Sequence, residues 1–186
     1  MKIAMLRAAA VALTLSAAPF GVAFAANPDV GGAPMYENKN IIENAVNSKD
    51  HTTLVAAVKA AGLVDTLEGA GPFPVLAPTN EAFDALPAGT VDNLLKPENK
   101  DQLVKILTCH VVAAKALSTD VVAMAKADGG THVLDTVGGC KLALSVKDGK
   151  VMIKDEAGGM ATVTIADVIQ SNGVIHVIDH VLLPKM

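Results

Sequence analysis

The sequence predicts an α+β fold. Apolar residues recur with helical spacing from Ile41 to about residue 128, then alternate with period two from 131 to 183. The second stretch also carries two hairpin signals, Asp148-Gly149 and Asn172-Gly173. Helices early and antiparallel strands late separate the two element types, as α+β domains do.

Residues 26–39 are rich in Gly, Pro and Asn and are expected to form an exposed, flexible N-terminal arm. Ile41, Ile42, Ala45 and Val46 form one apolar stripe, the start of a first helix. A second begins at Thr52 or Thr53, either a competent N-cap, and ends at Gly62. Leu63 to Leu67 add a short turn. Residues 72–78 alternate proline with aliphatic residues and are extended, because a residue before proline avoids the helical region. Thr79 or Asn80 then caps a helix through Leu86, and Thr90 caps a short one through Leu95. Pro97 suits the first turn of a longer helix through Leu107. Val111 and Val112 suggest a strand. Ser118 or Thr119 opens a helix that stops at Gly129-Gly130. Strands follow at 131–137, at 142–146, from Val151 to Ile153 and around Val163 and Ile165, with Val174 to Leu183 the longest.

Composition narrows the function. The chain has 186 residues, 51% hydrophobic, enough for one domain with a buried core. A net charge of −4 opposes phosphate backbones and anionic headgroups, so no nucleic-acid partner is expected. Aromatic residues make up 3%, with no Trp, which argues against a base- or sugar-stacking platform. Residues 1–25 are expected to be a signal peptide: Lys2 and Arg7 form the charged start, an apolar run follows, and Ala23-Phe24-Ala25 fits the small-x-small cleavage rule. The run is marginal for a bilayer span, so no stable membrane insertion is expected, and the product belongs in the periplasm or outside the cell.

That compartment bears on Cys109 and Cys140, the only cysteines. An isolated pair in an oxidising space favours a disulfide. The alternative is a reactive thiolate beside His110, but neighbours on a strand point to opposite faces.

Two stretches carry a family resemblance. Phe73 to Phe83, reading through Ala77-Pro78-Thr79-Asn80, resembles the first signature block of fasciclin (FAS1) domains. Ser171 to Asp179, reading Ser-Asn-Gly-Val-Ile-His-Val-Ile-Asp, resembles the closing block. Between them His110 matches the family's Tyr-His motif, with Cys109 in place of the tyrosine. The resemblance spans residues 40–184, expected to be the domain. It implies two β-sheets meeting as a wedge with several helices packed on one side, and a role in cell adhesion or matrix attachment. The likeness is greatest to the small secreted bacterial members. Thr79, Asn80, His110 and His176 are expected to be structural, the hydroxyl and amide by capping helix N–H groups. The resemblance also places Asp167, Val168 and Ile169 where some animal members present an Asp-Ile integrin-binding motif. The alternative is that Asp167 starts a turn and Val168 and Ile169 belong to the core.

Catalytic signals are missing. No Gly-x-Ser-x-Gly, phosphate loop or dinucleotide fingerprint occurs, and Asp155-Glu156 reads as a solvated turn. His176 and His180, on one face of a strand, would stand about 13 Å apart, too far to share a metal. We therefore expect no enzyme activity, no cofactor and no metal. The expected partner is a surface or matrix protein, with weak self-association compatible with so small a module. The alternative is a periplasmic small-ligand carrier or envelope-structure protein using a pocket between sheet and helices, softened by methionine and alanine.

Overall fold

The computed structural model describes residues 27–113 and 117–185. The expected signal peptide lies outside them. Helices dominate the first two thirds: α1 (Ile41–Ala45), α2 (Thr52–Ala61), α3 (Val64–Glu68), α4 (Asn80–Asp84), α5 (Thr90–Leu94), α6 (Lys100–Cys109) and α7 (Ser118–Ala127). Strand β3 (Phe73–Pro78) interrupts them, as its prolines require. The last third is β4 (Thr131–Asp135), β5 (Lys141–Lys147), β6 (Lys150–Lys154), β7 (Met160–Gln170) and β8 (Gly173–Ile178). These strands form one six-stranded sheet in the order β3-β8-β7-β6-β5-β4. Only β3 and β8 run parallel.

The two expected sheets are the halves of this single sheet, joined through β7. Residues 160–162 of β7 pair with β6, and residues 163–170 pair with β8. Register shifts between Val163 and Val168 separate the halves, and a bulge there bends the strand. Alternation then builds two cores. Val75 and Ala77 of β3, with Ile175 and Val177 of β8, face helices α1 to α6. Leu76 and Ile178, from the same strands, face the second half of the sheet and meet Leu134, Leu142, Leu144 and Ile153. Helix α7 packs on this second core through Val121, so six helices serve one face and the seventh another.

The N-terminal arm is corrected. Residues 29–34 form a small hairpin, β1 (Asp29–Val30) and β2 (Ala33–Pro34), and Val30, Ala33 and Met35 are buried in the first core. Gly31 and Gly32 turn it with positive φ, and a side chain at Gly31 would collide with Ser48 Oγ at 2.4 Å. Asn44 of α1 holds the next residue, accepting from the Tyr36 N–H (3.0 Å) and donating to its carbonyl (2.8 Å). Turn-rich composition concealed three core positions.

Other differences trace to where backbone groups find partners. The longest strand is β7, not Val174 to Leu183, because β8 stops at Ile178. Beyond it the chain bonds side chains instead of a ladder: Leu182 N–H donates to His110 and Leu183 N–H to Asp155. Val111 and Val112 make single bridges to Val75 and Thr136 rather than a strand. The Asp148-Gly149 hairpin is as expected, with φ of 52° and 77°. In the second hairpin Ser171 and Asn172 make the turn, while Gly173 opens β8 opposite Phe73.

Cys109, at the end of α6, and Cys140, just before β5, form a disulfide with a Cα separation of 5.4 Å. Both are buried, which removes the reactive-thiolate alternative. Cys109 closes a helix rather than lying on a strand. Reduction is expected to lower stability by about 3 to 4 kcal/mol, the loop-closure value for 31 residues, checked by urea unfolding with and without reductant. Gly173→Ala is a sharper test of the sheet. Its new methyl would lie 2.1 Å from the Phe73 carbonyl oxygen, and we expect a loss of roughly 2 to 4 kcal/mol by the same measurement.

Candidate functional site

The bulge in β7 sets up the most distinctive polar cluster. Asp167 has φ 56°, a left-handed conformation tolerated by Asp, and this turns its carboxylate toward the start of α7. There it accepts from the Ser118 N–H (2.8 Å) and from the Ser118 hydroxyl. Asp167 thus caps α7 from a strand 49 residues away, a role the sequence suggested for Ser118 itself. Its own N–H donates to Nδ1 of His176 on β8 (3.2 Å).

Ser118, Asp167 and His176 therefore meet, but not as a catalytic relay. The serine hydroxyl donates to the carboxylate rather than to an imidazole. Nδ1 of His176 accepts a backbone N–H, so it does not orient a proton toward the carboxylate. The cluster is a cap and a strand bend held together.

Val168 follows fully buried in the first core, whereas Ile169 is 47% exposed. Strand alternation puts Ile169 on the outer face beside its cross-strand partner Val174. With Leu117, Pro72 and Pro74 these residues line a groove of about 660 Å³, edged by Asp120, Ser171 and Asn172. The three residues of the suggested adhesion motif thus have separate positions: Asp167 caps, Val168 packs and Ile169 faces solvent.

The other motif residues fasten distant segments. Thr79 accepts from the Ala82 N–H (3.4 Å) at the start of α4. Asn80 reaches to a different helix: its oxygen accepts from the Thr53 N–H (3.0 Å) and the Thr52 hydroxyl (3.1 Å), and its amide donates to the Lys49 carbonyl (2.8 Å). No threonine of α2 caps that helix, and Gly89 rather than Thr90 precedes α5. Asn172 does more than turn the chain. It accepts from the Ile41 N–H at the start of α1 and donates to the carbonyls of Leu67 and Gly69 at the end of α3.

His110 is fully enclosed. Its Nδ1 donates to the Ile106 carbonyl (2.8 Å) and its Nε2 accepts from the Leu182 N–H (2.9 Å), which defines a neutral ring. Burial lowers its pKa to about 4, against a smaller opposing pull from the Ile106 carbonyl. Burial also lowers that of His51, whose Nδ1 bonds Ser48 Oγ.

Asp155 departs from the solvated turn expected of Asp155-Glu156, whereas Glu156 stays exposed in the turn; both clamp backbone. Asp155 is buried and accepts from Gly159 N–H (2.6 Å) and Leu183 N–H (2.8 Å). Glu156 accepts from the backbone N–H groups of Lys141 and Lys185, the first of which is the main cause of its lowered pKa. The sequence offered only one hint, an acidic residue closing an apolar strand before Gly158-Gly159. His176 and His180 do not share a strand, since β8 ends before His180, which is exposed. Among the described residues no group of three His, Cys, Asp or Glu is placed to hold a metal.

A histidine held neutral makes stability depend on pH. Below about 6.5 the unfolded chain takes up a proton that His110 in the fold does not accept until about 4. The contribution of His110 to stability should therefore fall by roughly 3 kcal/mol as pH drops from 6.5 to 4 and change no further below. His51 adds in the same direction. Urea unfolding of wild type and His110→Asn across this window checks it: the variant should be less stable at pH 7 but show a flatter slope.

Comparison with known proteins agrees with this architecture. A family model described as the fasciclin domain matches residues 49–184. The protein sll1483 of Synechocystis is 53% identical over 146 residues, covering 78% of this chain and 74% of that one. Transforming growth factor-beta-induced protein ig-h3 of Sus scrofa is 39% identical over 131 residues, 70% of this chain but 17% of ig-h3. Among solved structures, a FAS1 domain pair from the insect cell adhesion molecule fasciclin I superposes with a TM-score of 0.56 at 24% identity, covering 70% of this chain and 43% of that one. A continuous match across the helices, the bent sheet and both signature blocks has one meaning: this chain belongs to the fasciclin domain family.

Proposed function

We propose that this protein is an attachment module that works outside the cytoplasm by binding a surface or matrix protein. The observation that carries the proposal is the groove beside β7. Ile169 and Leu117 are large apolar side chains left 47% and 38% exposed. They lie with Val174, Pro72 and Pro74 inside an edge of Asp120, Ser171 and Asn172. An apolar centre within a polar rim is the anatomy of a protein-binding patch. The polar motif residues nearby are already committed to the fold: Asp167 to α7, Asn172 to α1 and α3. Contact energy therefore comes from Ile169 and its apolar neighbours, and Asp167 acts by holding the bulge that presents them.

The comparisons support this reading by kinship. Fasciclin I is named a cell adhesion molecule, and the family model covers most of this chain. A small patch binds weakly on its own, so several copies on one surface would supply the strength of attachment. Export fits the apolar leader and the buried disulfide. Among the described residues no helix is long and apolar enough to cross a membrane.

The test is cell attachment to surfaces coated with the purified protein. Ile169→Asp should reduce attachment by at least about tenfold, the loss typical of a central apolar anchor, with unfolding unchanged. Val133→Asp, at an exposed apolar residue on β4, should leave attachment intact. Asp167→Ala should instead destabilise by about 1 to 2 kcal/mol through the lost cap. Equal attachment by wild type and Ile169→Asp would remove the groove from the binding surface.

A further inference from the structure

A second apolar feature lies on the opposite side of the β3–β8 ladder, within the first core. Helices α1, α2, α3 and α6 do not close completely over β3. They leave about 80 Å³ open to the centre of a water-sized sphere. That space would hold on the order of five waters, and so a chain of about five carbons, since a methylene is close to a water in bulk. Its inner walls are mostly apolar, Phe73 among aliphatic residues such as Ile41, Ala45, Val58 and Leu107. No methionine contributes, contrary to the soft lining expected from composition.

The polar atoms along these walls are already occupied. Both ring nitrogens of His110 are bonded, one to the Ile106 carbonyl and one to the Leu182 N–H. The Thr108 hydroxyl donates back into its own helix, 2.8 Å from the Val104 carbonyl. Water needs two to four polar partners to occupy a cavity, and an apolar void of this kind stays dry until an apolar molecule enters. The cavity reaches the surface beside Thr66 and Val137, both exposed. The threonine hydroxyl supplies one polar group at the mouth.

Collapse is resisted at that mouth. Val137 N–H donates to the Val111 carbonyl (2.8 Å), and Gly138 N–H to the Thr108 carbonyl (3.0 Å). The Cys109–Cys140 disulfide ties the same turn to α6. A Cβ at Gly138 would meet the Cys109 nitrogen at 2.8 Å, so the turn already sits as close to the helix as backbone allows.

We propose that this cavity is a binding site for one uncharged aliphatic chain, its hydrocarbon end among Ile41, Val58 and Leu107 and its polar end at Thr66. A charged head would gain nothing inside, because the side-chain polar atoms of the described inner wall, on His110 and Thr108, are already bonded. The site is separate from the groove at Ile169 and does not depend on the attachment reading.

Straight-chain alcohols from propanol to octanol are the probes, titrated into the purified protein while its methyl resonances are followed by NMR. Affinity should rise about fourfold per methylene, the factor for burying one such group, until the chain fills the space near five or six carbons, and then level off. Shifts should concentrate on the methyls of Ile41, Val58 and Leu107. Val55→Phe, from the half-buried rim, should weaken hexanol binding at least tenfold. Ala45→Leu, filling from α1, should do the same and serves if the first variant fails to fold. Ile169→Asp should bind hexanol as wild type does, which keeps this outcome distinct from that of the attachment experiment. No saturable shift with hexanol, no dependence on chain length, or undiminished binding in a folded, filled variant would overturn the site.

Discussion

The parallel pairing of β3 with β8 is the contact on which the rest of this structure depends. It joins segments about one hundred residues apart, and it works only because the backbones approach very closely. Gly71 and Gly173 face the carbonyls of Asn172 and Phe73 at distances that no Cβ could share. The ladder supplies both cores at once, through alternating side chains of the same two strands. A parallel pair buried on both faces is expected to read as nearly continuous apolar sequence, as both do here.

Around this ladder the fold meets its backbone requirements at long range. Helix starts at α2 and α7 are capped by Asn80 and Asp167 from elsewhere in the chain, and α1, which has its own Asn40–Glu43 capping box, gains a further bond from Asn172. The C-terminal segment is held by His110, Asp155 and Glu156 rather than by a strand. Buried or half-buried N–H groups cost free energy unless paired, so each of these side chains is under strong constraint. Thr79, Asn80, Asn172 and His176 of the signature blocks are accordingly spent on the scaffold. The two features proposed for recognition are apolar: the solvent-facing groove at Ile169 and the cavity under α1, α2, α3 and α6.

The cluster of Ser, Asp and His is accordingly arranged as a cap and not as a catalytic relay. Proximity is present, but each donor and acceptor is satisfied in the wrong sense for activating a nucleophile. The same logic applies to His110, whose low pKa follows from enclosure and whose two nitrogens both serve backbone groups. Perturbed titration often marks an active site, but structural burial produces it as well.

Much of the fold was legible in the sequence because local rules set it. Prolines at 72, 74 and 78 impose extension, period-two alternation defines β5 and β6, and Asp148-Gly149 has one favourable turn. The two signature blocks identify the family because their residues answer to close packing and capping that few other residues satisfy. Local sequence set some polar partners, such as Thr79 at the start of α4, but tertiary structure decided those that span the chain. Local spacing suggested that Thr52 or Thr53, Thr90, and Ser118 or Thr119 start their own helices, yet Asn80 and Asp167 cap α2 and α7 from elsewhere. It likewise made core residues of Val30 and Met35 within a turn-rich stretch, and turned Asp155 from solvent to the chain end. A sequence lists donors, acceptors and apolar groups in order; which of them meet depends on a bent sheet bringing together segments that no periodicity connects.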